Sequence, residues 1–153
     1  MAQRVMRLGR AIAEVEPGLH VKLPFGIDRT FPVPVKRQLK QEFGFKVVLH
    51  HVSDGWKLAD EIAAAKVPCS VILIDSPGGK LEARDMSFAT GAVLDKAGVR
   101  VAYHTDDYIT DSRIFLRSAA LGMRAGLPRR AALEAVTLAG AEMLELHEHI
   151  GSL

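Results

Sequence analysis

The sequence predicts an α/β fold built on a parallel sheet, and three observations lead there. From residue 46 onward, apolar runs of strand length alternate with longer stretches of helical texture. One of those runs, "PCSVILID", is apolar without alternation, as expected of a strand covered on both faces. Residues 1–45 have a different texture and hold four of the seven prolines, which points to a small β-rich segment ahead of the α/β part.

In that first segment the turn signals "EPG" and "PFG" separate three strand-like stretches, "RVMRLG", "GLHVKLP" and "RTFPVPVKRQL". Pro32 and Pro34 occupy alternate positions, so the third stretch is expected at a sheet edge or in an extended arm, where a missing N–H costs nothing. A boundary is expected near Phe45, with no flexible linker and no internal repeat or low-complexity tract anywhere.

The second part reads βαβαβαα. "KVVLHHV" is the first strand, and a helix follows over "DGWKLADEIAAAK" with Trp56, Leu58, Ala59 and Ile62 on its apolar side and Ser53 or Asp54 as its cap. "PCSVILID" is the second strand, and a helix is expected from about Glu82 to Lys96, stopped by Gly98. "VRVAYHT" is the third strand, followed by a helix over "DSRIFLRSAALGMRAG". "PRRAALEAVTLAGAEMLEL" gives a last helix, with Pro128 near its first turn. Strands alternating with helices in this way are joined by crossovers into a parallel sheet.

Composition narrows the function by exclusion. With 153 residues and 48% hydrophobic types the chain can bury a core. A net charge of +2 and a charged fraction of 25% match an ordinary soluble surface, so neither nucleic acid nor acidic lipid is implied as a partner. Cys69 is the only cysteine, which excludes an internal disulfide and a thiolate metal cluster and fits a reducing, cytoplasmic setting. No apolar stretch approaches the ~20 residues of a membrane-spanning helix, so no transmembrane segment is expected.

Ligands of parallel α/β sheets sit beyond the carboxyl ends of the strands. His50 and His51 end the first strand here, Asp75 the second, and His104, Asp106 and Asp107 the third, so imidazoles and carboxylates share one rim. Those are the ligand types of a catalytic zinc or a similar divalent ion. Because strand side chains alternate, only one of His50 and His51 is expected to face the site. Other candidates carry less. "DSPGGK" lacks phosphate-loop spacing and has Leu81 where Ser or Thr is needed, and "HEH" at His147–His149 follows a helix and is expected in solvent. Cys69 reads as a buried structural thiol, His20 as a strand-edge residue, and Met86, Met123 and Met143 as helical core.

The strings "HHVSDGWKLADEIAAAKVPCSVILIDSPGGK", "AGVRVAYHTDD" and "GLPRRAALEAVTLAGAEMLEL", with the terminal "IGSL", together resemble the carboxy-terminal part of the barrel of imidazolonepropionase-like amidohydrolases. The resemblance covers residues 46–153. It implies three parallel βα units of a partial TIM-type barrel plus a C-terminal helix, corresponding to the sixth, seventh and eighth strands of the family. It also implies hydrolysis of C–N bonds in cyclic amides or peptides with a divalent metal, zinc above all. His51 falls on the sixth-strand histidine that binds metal or substrate, and Asp106 on the eighth-strand aspartate that binds metal and acts as general base.

The family's first-strand HxH, fourth-strand lysine or carboxylate and fifth-strand histidine have no counterpart in this sequence. With two ligands the isolated chain is expected to hold metal weakly and hydrolyse little. A partial barrel exposes an apolar inner face and open edges, so a homo-oligomer that completes the site is expected. Residues 4–45 carry "VEPGLHVKLPFGIDRTFPVPVKRQLKQEFGF", which resembles the start of the SPFH or band 7 domain of stomatin and prohibitin relatives. That resemblance implies a non-catalytic interaction or scaffold module, or a fusion of two fragments, as the alternative.

Overall fold

The computed structural model describes residues 20–24, 46–73, 85–107 and 109–152. Four strands form one sheet: β1 (His20–Pro24), β2 (Lys46–His51), β3 (Cys69–Ile72) and β4 (Val101–His104), in that order and all parallel. The three strands expected from residue 46 onward are all present. "GLHVKLP" also forms a strand, and it joins the same sheet alongside β2, with Pro24 opposite His50. The other two strand-like stretches of the first segment lie outside the described residues.

Register sorts the side chains. Leu49, Cys69 and Val101 are aligned across three strands, as are Val71 and Tyr103, and all five are buried. They pack with Ile62, Leu94, Ala119, Leu127 and Ala132 into the main core under the helices. On the opposite face the register brings His50, Ser70 and Ala102 into line, with His104 beside Ile72 one step nearer the rim. A groove of about 370 Å³ runs over that face, bounded by Val48, His50, Ser70, Ala102, Met143 and Leu144.

Helix α1 (Ala59–Ala64) is preceded by a 3-10 turn over Gly55–Leu58. With three residues per turn, the 3-10 segment does not continue the α-helical apolar stripe backwards. Ala59 and Ile62 are therefore buried, whereas Trp56 and Leu58, expected on the same face, are 38% and 37% exposed. Asp54 precedes the turn but makes no side-chain cap bond; its carboxylate lies 3.7 Å from Lys57 Nζ. Trp56 Nε1 donates instead to the Asp85 carbonyl at 3.0 Å, and Lys57 pairs with the Asp85 carboxylate.

Helix α2 (Thr90–Lys96) starts later than the sequence suggested, since residues 85–89 are non-helical. The Ser87 hydroxyl accepts from the Ala89 N–H at 3.2 Å, the local competition by which serine favours turns and helix starts. Gly98, at φ 85°, ends the helix as expected. Helix α3 (Phe115–Arg124) follows a 3-10 turn over Ser112–Ile114, capped by the Asp111 carboxylate accepting from the Arg113 N–H at 2.9 Å. The last predicted helix is two, α4 (Arg129–Ala135) and α5 (Leu138–Met143). The break falls at Val136 and Thr137, where the Thr137 hydroxyl donates to the Leu133 carbonyl at 2.7 Å and the Thr137 backbone leaves helical geometry. Arg100, next to β4, spans the break by pairing with Glu134 of α4 and, at 2.6 Å, with Glu142 of α5.

The methionines depart from expectation. Met123 is 40% exposed, Met86 lies in the non-helical stretch before α2, and Met143 borders the groove on the far face of the sheet. The large residue that fills the helix side is Tyr103, whose ring fits between α2 and α3 because Gly91 and Gly122 leave it room. A Cβ at either glycine would overlap its hydroxyl.

Burial, aided by nearby Asp95, pushes the Tyr103 phenol up to about 12 from an ordinary 10.0, and its hydroxyl has no hydrogen-bond partner among the described residues. A pKa raised by folding stabilises the protein fully below pH 10, and that contribution is lost as pH climbs from 10 to about 12. Tyr103→Phe is therefore expected to keep or raise stability at pH 7 and to flatten the loss above pH 10. Urea unfolding midpoints at pH 7 and pH 11 check both.

Candidate functional site at the strand rim

At the carboxyl end of β2 the chain leaves strand geometry abruptly. His51 (φ 69°) and Val52 (φ 49°) are successive left-handed residues, a conformation that costs a β-branched side chain heavily. Two contacts hold it. Val52 is fully buried beneath Gly55, whose missing Cβ would overlap a Val52 methyl, and the Gly55 N–H donates to the Val52 carbonyl at 3.1 Å. The twist turns the His51 ring back toward the face that His50 occupies.

His50 and His51 therefore both reach the site, contrary to the expectation that strand alternation admits one. Their ring centroids are 4.7 Å apart and edge-on. His104, from the end of β4, lies 3.9 Å from His50 and 5.2 Å from His51 by centroid. Potential ligand atoms of all three lie within 4.8 Å of one another. Ser70 Oγ sits 2.9 Å from His104 Nδ1.

Asp106 is brought over the rim by a second left-handed turn, at φ 50°, closed by the Ile109 and Thr110 N–H groups donating to the carbonyls of Asp106 and Thr105, each at 3.0 Å. Its Oδ2 stands 3.7 Å from His51 Nε2. That is too long for a hydrogen bond and close to the ~3.4 Å that separates two ligands of one tetrahedral zinc. The two residues singled out in the sequence, His51 and Asp106, thus face each other, with His50 and His104 beside them.

The remaining candidates go elsewhere. Asp107 accepts from the Ser112 hydroxyl at 3.0 Å. His147 and His149 are exposed in the turns after α5, and Cys69 is buried on the helix side of the sheet. His20 opens β1 opposite Lys46, at the end of the strand away from the rim. Asp75 and "DSPGGK" lie outside the described residues.

Three imidazoles with potential ligand atoms this close make a donor set suited to zinc or a similar divalent ion, and the Asp106 carboxylate faces one of them. The His cluster could hold a metal ion.

No protein-family model and no curated protein matches the sequence at a significant level. A solved structure does: the crystal structure of an amidohydrolase from Thermotoga maritima MSB8, with TM-score 0.80 and 26% identity over 96% of this chain and 37% of that one. This chain is similar to part of an amidohydrolase. It spans little more than a third of the length of the protein it matches. Nothing supports the resemblance of residues 4–45 to an SPFH domain. Among the described residues no helix is long and apolar enough to cross a membrane.

Because the His51–Val52 turn depends on the space at Gly55, Gly55→Ala is expected to lower stability by about 1–3 kcal/mol. It should also displace the His51 ring from Asp106. Urea denaturation measures the first effect, and the imidazole proton shifts of His51 report the second.

Proposed function

We propose that this chain carries part of the active-site rim of a metal-dependent hydrolase of amidohydrolase type, acting on C–N bonds of cyclic amides or peptides. The observation that carries the reading is the pairing of His51 and Asp106 at co-ligand separation on a parallel-sheet rim. The similarity to the Thermotoga amidohydrolase supports it.

In this reading His51 and Asp106 hold the ion. When bound, a divalent ion polarises the amide carbonyl and makes water acidic enough to attack near neutral pH. The Asp106 carboxylate takes the proton of the attacking water and returns it to the leaving nitrogen, which a carboxylate turned over the rim can do without leaving its turn. The groove over the sheet, with Val48, Ala102 and Met143 along it, gives the apolar part of a small cyclic substrate a surface to lie against.

The four parallel strands among the described residues are half of the eight that close a barrel of this type. We infer that copies of the chain associate, so that the sheet edges and the groove face are covered and the rim is completed.

The test is hydrolysis of hydantoins, dipeptides and lactams by zinc-loaded protein over a range of chain concentrations, with light scattering alongside. The rate per chain is expected to rise with association, and Asp106→Asn to lower it about 10²–10⁴-fold. A strictly monomeric chain that turns these substrates over at full rate overturns the association part. Absence of turnover in every assembled, metal-loaded form overturns the hydrolase reading.

A further inference from the structure

The amidohydrolase reading places the ion on His51 and Asp106, yet the rim brings two more imidazoles within reach. We propose that this chain holds a divalent ion by itself through His50, His51 and His104, and that Ser70 is the positioning residue that presents His104 to it through Nε2. The proposal rests on the metal-dependent reading and extends its ligand set beyond His51 and Asp106, the two residues that the family resemblance implies.

The sheet register explains why these residues meet. His50 and Ser70 are paired neighbours on the groove face, and His104 stands on the same face next to Ile72, one step nearer the rim. Ser70 therefore lies diagonally below His104, with Oγ 2.9 Å from Nδ1. An imidazole whose Nδ1 is engaged by a neighbour is fixed in ring orientation and offers Nε2 to a metal, the usual role of an outer-shell partner. His51 reaches the group only through its left-handed turn, strain that a packed Val52 maintains at a rim where ordinary strand geometry would carry the ring to the other face. With all potential ligand atoms within 4.8 Å of one another, three imidazoles supply the three protein contacts of an open zinc site without any residue from the family's first, fourth or fifth strands.

The experiment is cobalt(II) and zinc titration of the purified 153-residue chain, read by visible absorption and by elemental analysis after desalting. The expected result is one ion per chain with the intense absorption of a four- or five-coordinate cobalt site. His50→Gln and His104→Gln should each weaken binding at least about tenfold. Ser70→Ala should weaken it about 10–100-fold, with Ser70→Thr restoring it. Urea midpoints in chelator establish that the variants fold. On the parent protein, ¹⁵N-imidazole spectra with zinc should move Nε2 of His104 and leave its Nδ1 resonance in place, a readout that needs no variant.

Binding that survives His104→Gln and Ser70→Ala unchanged but is lost in His51→Ala overturns this inference and leaves the His51–Asp106 reading standing. Failure of the parent chain to retain any ion overturns this inference alone, because the hydrolase reading lets association complete the rim.

Discussion

A parallel strand gives only alternate side chains to each face, and the rim of this protein depends on how β2 escapes that rule at its last residue. Val47 and Leu49 face the helices while Val48 and His50 face the groove, so continued strand geometry would send His51 under the helices. Two successive left-handed residues reverse it. The cost is met by packing: Val52 is buried in the space that Gly55 leaves open, and the chain then enters the turn leading to α1. Asp106 reaches the same place from β4 by a comparable turn, closed by backbone hydrogen bonds from residues 109 and 110.

Around that rim the fold divides its labour between the faces of one sheet. The helix side is apolar and close-packed, with the Tyr103 ring set against Gly91 and Gly122 and tying β4 to both α2 and α3. The far end of β4 is held by Arg100, whose guanidinium binds both Glu134 and Glu142 and so fixes α4 and α5 although the helix between them is broken. These contacts tie both ends of β4 to the helices. His104 ends a strand anchored in this way, which suits a group that must be oriented to within a fraction of an ångström to bind an ion.

Much of the fold was legible because burial on a parallel sheet leaves a strong one-dimensional trace. "KVVLHHV", "PCSVILID" and "VRVAYHT" each gave a strand, and the Gly98 stop fell where φ turns positive. The misreadings came from local geometry that hydrophobic period cannot register. A 3-10 turn exposed Trp56 and Leu58, and a threonine hydroxyl competing for the Leu133 carbonyl split one expected helix into α4 and α5.

By itself the sequence determined the alternation of strands and helices, the placing of histidines and aspartates at strand ends, and the resemblance that singled out His51 and Asp106. These are properties of neighbours along the chain. Only the tertiary structure decided that His50, His51 and His104 cluster with Asp106 facing His51, and that β1 runs parallel to β2 in the same sheet. Strand register relates residues more than thirty positions apart, and the backbone torsions at His51 and Asp106 are imposed by packing around them, so neither is written in the spacing of the sequence.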